Sequence, residues 1–306
     1  MINKILNNIA KSRQIKLEEI HKHEDQQFDK LFSNEKLREM YANLLEYSLS
    51  DDFSKKKYKE MQKEYEDELK KNDIKPLETT VYICKKCFDS CVLNGSICKC
   101  VSSEEFKIAA TKLCFDNLGE YNQFKKNKID YSIILNKYYK EMEKVAKGKH
   151  NKKILILSGP PGVGKTYLTF ALIDLATSNF KTCKFIKSYD LSEKFTSSVF
   201  DDEKILPTDD LYTADILIVD DLGSERMLSN ITNEMYVQLL DRRIQGGLTT
   251  VFTANLSFEQ AKENFNERFA SRLFDINNSV TLSKDFFTLN EIGEMACRDF
   301  RTFPKK

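Results

Sequence analysis

The chain has 306 residues, 41% of them hydrophobic and 31% charged, with 48 basic against 47 acidic side chains for a net charge of +1. That length suits about two domains, and the charge balance excludes a strongly basic protein that coats nucleic acid, while a local basic groove stays open. No apolar run reaches the length of a membrane span, and Met1-Ile2-Asn3-Lys4-Ile5-Leu6-Asn7-Asn8 is too interrupted for a signal peptide. A cytoplasmic protein with no membrane partner is expected, so the eight cysteines read as metal ligands or core residues rather than disulfides.

Residues 1 to about 75 lack Gly and Pro and read as helical. Leu37, Met40, Tyr41, Leu44 and Leu45 recur at three- and four-residue steps, giving a stripe that must face another helix or a partner. Lys55 to Lys71 is a charged run with only a thin seam of Tyr58, Met61 and Tyr65, expected as a solvated helix. Pro76 closes the segment.

Five of the eight cysteines fall between Val81 and Val101. Cys84 and Cys87 form a C-x-x-C knuckle, and Cys98 and Cys100 close a tetrahedron from the other arm of a hairpin turning near Asn94-Gly95. Lys85, Lys86 and Lys99 alternate with these thiols, which disfavours a buried cluster of small apolar residues. A structural Cys₄ zinc site is expected, with an iron–sulfur cluster as the alternative; spacing alone does not say which four of the five, Cys91 included, bind. Cys114, Cys183 and Cys297 are isolated and read as core residues.

Glu104 to Ala146 is again helical, with a break around Asn117-Leu118-Gly119, and Lys147 to Lys153 is a polar basic junction. Ile154-Leu155-Ile156-Leu157 then runs into Ser158-Gly159-Pro160-Pro161-Gly162-Val163-Gly164-Lys165-Thr166, a G-x-x-x-x-G-K-[ST] loop, and Tyr167 continues into a helix. The glycines let backbone N–H groups face phosphate, Lys165 neutralises it, Thr166 offers a hydroxyl to Mg²⁺, and the helix N-terminus favours the anion. These residues are the expected binding site for ATP and Mg²⁺.

Strand and helix alternate thereafter: Lys184 to Lys187, Leu191 to Val199, and Ala214 to Gly223, an apolar strand that delivers Asp220 and Asp221 at its carboxyl end. Asp220 suits the metal's outer shell, and Asp221 can polarise the attacking water. Thr249 to Asn255 is a further strand whose terminal Asn255 is placed to hold that water or sense the γ-phosphate. The fold class is α/β with a parallel sheet. The boundaries expected are 1–78 helical and partner-binding, 79–103 zinc hairpin, 104–150 helical linker and 151–306 ATPase domain.

The order GPPGVGKT, ILIVDDLGSE, TTVFTANL, NERFASRLF resembles the AAA+ P-loop ATPases, and within them the bacterial replicative-helicase loaders of the DnaC/DnaI type. The resemblance covers roughly residues 80 to 290, since the cysteine hairpin is similar to the zinc segment many loaders carry. It implies that Cys84, Cys87, Cys98 and Cys100 hold Zn²⁺, because Cys91 stands where those proteins usually have Gly. It further implies Asp220 as the Mg²⁺ carboxylate, Asp221 as the catalytic one, Asn255 as the first sensor and Arg272 as a finger reaching a neighbour's nucleotide, with Arg268 as its assistant. Asp221 is shorter than the Glu of many AAA+ enzymes, which fits slow hydrolysis suited to a switch. The stretch Val280 to Phe287 has Phe where the loaders place a second sensor Arg; Arg298 and Arg301 lie beyond, and Arg301 is the candidate. A DNA-replication loader is implied, binding a replicative helicase through the N-terminal region, single-stranded DNA through the ATPase domain, and itself. The alternatives are a transposase-helper ATPase and a zinc-bearing adaptor that uses ATP binding as a latch with little turnover.

Overall fold

Apolar runs of four or five residues, too short for helices and flanked by polar turns, form the strands of a parallel sheet in the computed structural model. The structure describes residues 1–48, 54–74, 82–126, 136–159, 161–162, 164–200, 209–223 and 230–282. Pro76, Val81, Ile133 to Leu135, Pro160, Val163, Phe286, Phe287, Cys297, Arg298 and Arg301 lie outside them. Backbone contacts divide the chain into one unit of residues 7–100 and another of residues 1–6 with 101–306.

The first unit holds α1 (Ile2–Ser33) from residue 7 onward, then α2 (Glu35–Ser48), α3 (Lys55–Lys71) and a hairpin of β1 (Val92–Leu93) and β2 (Ser96–Ile97). Leu37 and Leu44 of the α2 stripe are buried with Tyr65 and Leu69 of α3, and Tyr58 and Met61 pack against them. The thin seam of α3 is thus covered by α2, and only the opposite faces of α3 are solvated. Asn94 and Gly95 both take positive φ, 52° and 75°, in the two-residue turn between antiparallel β1 and β2. That is the backbone an Asn-Gly hairpin turn requires.

The second unit continues with α4 (Ser103–Cys114), α5 (Gly119–Lys126), α6 (Asn136–Ala146), β3 (Ile154–Ser158), α7 (Lys165–Ser178), β4 (Cys183–Lys187), α8 (Ser188–Phe200), α9 (Asp209–Thr213) and β5 (Ile216–Leu222). It ends with α10 (Asn230–Gln245), β6 (Thr249–Ala254), α11 (Phe258–Asn264), α12 (Glu267–Leu273) and β7 (Ser279–Leu282). Five strands pair in the order β4-β5-β6-β3-β7, every pair parallel. Strand residues alternate between two cores, as the period of two demands. Leu155, Leu157, Phe185, Ile216, Ile218 and Val251 face one core with residues of α5, α6 and α7, while Ile154, Ile156, Ile186, Leu217, Val219 and Phe252 face another with residues of α8, α10 and α12. This is an α/β arrangement, a parallel five-stranded sheet with helices packed on both faces.

The segment expected as a linker is part of this packing. Phe115, Tyr121, Phe124, Tyr138 and Met142 are buried in one core with Phe170 of α7 and Phe185 of β4. Asp174 of α7 anchors the same helices: it accepts hydrogen bonds from Tyr121 and from Lys125 at 2.7 Å, and pairs with Lys107 at 3.0 Å. Lys152 of the basic junction donates to the carbonyls of Ile276 and Asn277 at 2.7 and 3.0 Å.

Candidate nucleotide site and cysteine centre

Gly162 and Gly164 have φ of 84° and 89°, a conformation costly for any side chain, and they fold the loop after β3 back over the first turn of α7. The resulting cleft of about 230 Å³ is lined by Pro161, Gly162, Gly164, Lys165, Thr166 and Tyr167, with Asp221 facing them from β5. Lys165 Nζ donates to the Gly159 carbonyl at 2.7 Å. Burial lowers its pKa, and the carboxylates of Asp221 and Asp220 act in the opposite sense.

A local irregularity aims both carboxylates at this loop. Consecutive residues of a strand point to opposite faces, so Asp220 and Asp221 could not both serve one site from a regular β5. Between Val219 and Leu222 the register against β6 shifts, and Asp221 takes φ 57°. The extra residue is a bulge, and Asp is among the residues that tolerate this backbone. Asp220 stays buried at 1% exposure, whereas Asp221 is exposed in the cleft. Thr253 of β6 locks the bulge: its hydroxyl donates to Asp220 Oδ1 at 2.7 Å and accepts from the Asp221 N–H at 2.8 Å. Thr166 Oγ1 lies 3.1 Å from both Asp220 oxygens. Burial pushes the Asp220 carboxyl up to about 6, against the Thr253 hydrogen bond; the charge of Asp221 adds to the rise and Thr166 opposes it. An all-oxygen donor set of one hydroxyl and one carboxylate suits Mg²⁺, which keeps several waters.

Asn255 follows β6 directly and is exposed; the carbonyl of its neighbour Ala254 accepts from Gly159 N at 3.3 Å, so Asn255 starts beside the phosphate loop. Arg272 is held elsewhere: Nε donates to Asp241 of α10 at 2.6 Å and Nη1 to the Arg268 carbonyl at 3.1 Å. Arg268 pairs with Glu234 at 2.7 Å. Pro160, Val163 and Arg301 of the expected nucleotide site are outside the described residues. Sequence reading missed Thr253 and Lys187. Lys187 ends β4 opposite Asp220, pairs with Glu120 at 2.6 Å, and is raised in pKa first by that hydrogen bond. The available signal for both was position, since each lies at the carboxyl end of a parallel strand, where α/β sheets bind their ligands.

In the other unit, the sulfurs of Cys84, Cys87, Cys98 and Cys100 lie within 4.8 Å of one another, with Cys87 and Cys100 3.6 Å apart. Tetrahedral Zn²⁺ with bonds of about 2.3 Å spaces its sulfurs by about 3.8 Å, so this donor set fits the ion. Positive φ at Phe88, Asp89 and Cys91 coils the knuckle around the four thiols. Hydrogen bonds from the Cys87 and Lys86 backbone bring the Cys84 thiol down to about 6, toward the thiolate a metal needs. Cys91 is buried outside this group, its sulfur 3.6 Å from the Asp89 carbonyl and its own carbonyl accepting from Cys98 N at 2.9 Å.

The replicative helicase loader DnaI of Bacillus subtilis (strain 168) is 26% identical to the chain over 128 residues, which are 42% of this chain and 40% of that protein. The chain therefore matches well under half the length of that relative. Among solved structures, the DnaC helicase loader is similar at 21% identity over 50% of this chain and 91% of that one, with a TM-score of 0.39. DnaI is similar at 20% identity over 50% and 82%, with a TM-score of 0.35. A model of the IstB-like ATP-binding proteins matches residues 115–276, more than half of the 306, and takes in the phosphate loop, the Asp220 bulge, Asn255 and Arg272. The chain belongs to the family of IstB-like ATP-binding proteins.

Proposed function

We propose that this protein is a Mg²⁺-dependent ATPase that acts as a replicative-helicase loader in the cytoplasm, engaging the helicase through residues 1–78 and single-stranded DNA through the ATPase domain of residues 151–306. The observation that carries the reading is the group of Thr166, Asp220, Thr253 and Asp221 facing the phosphate loop, in a chain similar to a helicase loader. In hydrolysis the bond between the γ-phosphorus and the bridging oxygen breaks, and water's oxygen bonds to phosphorus, giving ADP and phosphate. Lys165 neutralises the β- and γ-phosphates. Thr166 and Asp220 would hold Mg²⁺, which supplies further charge neutralisation when bound. Asp221 accepts the water's proton and Asn255 orients the water. Arg272 serves a neighbouring copy, and a Zn²⁺ on Cys84, Cys87, Cys98 and Cys100 supports the N-terminal unit.

Steady-state ATP hydrolysis with and without single-stranded DNA tests this. Lys165→Ala is expected to lose ATP binding, and Asp221→Asn to bind ATP and not hydrolyse it. Equal ATP affinity of wild type and Lys165→Ala by calorimetry would remove the nucleotide site. A second reading, a transposase-helper ATPase, draws on the IstB-like family match; stimulation by duplex rather than single-stranded DNA would select it. Tight ATP binding with negligible turnover would select the latch-like adaptor.

A further inference from the structure

Arg13 lies on α1, far in sequence from the cysteine hairpin, yet is only 3% exposed and spends its donors on that hairpin. Nη1 donates to the sulfur of Cys100 at 3.1 Å and Nη2 to the Cys100 carbonyl at 3.0 Å. Nη1 also lies 3.8 Å from Asp89 Oδ1. That carboxylate accepts from the backbone N–H of Ile83 and of Cys84, each at 2.8 Å. One guanidinium therefore reaches a cysteine of the second arm directly and a cysteine of the first arm through Asp89. All these residues belong to the unit of residues 7–100.

We propose that Arg13 is a positioning residue of the metal centre, tying the seating of α1 to metal occupancy. This rests on the reading of Cys84, Cys87, Cys98 and Cys100 as a zinc site. Four thiolates around one Zn²⁺ carry a formal charge of −2. A guanidinium, charged at any relevant pH, stabilises that state through a charge-assisted hydrogen bond to sulfur. Without the metal the two cysteine arms lose the ion that binds them together, and the Arg13 hydrogen bonds to Cys100 lose an acceptor fixed in place. The coupling is reciprocal: metal holds α1 in place, and α1 holds the metal. α1 carries exposed Ile15, Ile20, Phe28 and Phe32, so metal occupancy decides whether that surface is presented as an ordered helix.

The test uses the full-length chain and two readouts. Metal analysis of the wild type comes first, and a chain without zinc overturns the zinc reading and this proposal with it. With zinc bound, its release to a chromophoric chelator is expected to be about 10- to 100-fold faster in Arg13→Met than in wild type, with Arg13→Lys between them. Arg38→Met, changing an exposed arginine of α2, should release zinc at the wild-type rate. In the wild type, chelation should remove hydrogen-exchange protection from α1 amides near residue 13. ATP binding by each variant checks that the other unit is folded, and Arg13→Lys keeps the test open should Arg13→Met not fold. Wild-type release rates in both Arg13 variants, or α1 protection unchanged by chelation, would overturn the coupling while leaving the zinc site in place.

Discussion

Two buried side chains brace the parallel sheet by hydrogen bonds rather than by apolar contact. Arg243 of α10, with no exposure, donates to the carbonyls of Leu211, Ala214 and Thr249 and to Thr250 Oγ1, closing the start of β6 and the approach to β5. Burial lowers its pKa to about 9, and Asp215 counters that. Arg243→Met would leave three carbonyls without this donor, so urea denaturation should find it less stable by about 3 kcal/mol or more. Thr253 does the corresponding work at the other end of the strands. Thr253→Val keeps the shape, loses both hydrogen bonds of the bulge, and should lower kcat about tenfold while leaving ATP affinity close to wild type, by single-turnover kinetics and calorimetry.

At the scale of elements, Asp174 ties α4 and α5 to the helix that follows the phosphate loop. Burial raises its pKa, but hydrogen bonds from Lys125, Tyr121 and Lys107 outweigh that and leave it below its ordinary value. Its stabilising effect is therefore complete above the unfolded carboxylate's value of about 3.9 and is lost as pH falls through the lower folded value. Asp174→Asn should cost about 2 kcal/mol at neutral pH, and the difference should vanish in acid. In the cysteine hairpin, Cys84→Ser, Cys87→Ser, Cys98→Ser and Cys100→Ser should each lose zinc by metal analysis and Cys91→Ser should keep it. The phosphate loop and the C-x-x-C knuckle were legible because backbone and ligand chemistry demand particular residues at particular spacings. The β5 bulge was not, since register depends on the partner strand, and neither was the burial of the α3 seam or of Phe115, Tyr121, Phe124, Tyr138 and Met142, whose apolar stripes do not name the face they meet. Arg13 was hidden for the same reason: nothing local links α1 to a hairpin many residues away.

At the scale of the whole molecule, the Arg272 guanidinium is paired with Asp241 and contacts no residue of the phosphate loop among its described hydrogen bonds. Its use across an interface remains our proposal, and mixing tests it: Arg272→Ala and Lys165→Ala should each be inactive in ATP hydrolysis, yet together recover part of the rate. A finger of this kind contributes about 10³- to 10⁵-fold. Normal hydrolysis by Arg272→Ala would instead leave Arg272 as a surface ion pair. The central proposal, an ATP-driven loader, is tested most directly by retention of the co-resident replicative helicase on closed single-stranded DNA circles. Wild-type protein with ATP should retain it, and Lys165→Ala should not. Equal retention with Lys165→Ala, or with no added protein, would contradict the proposal.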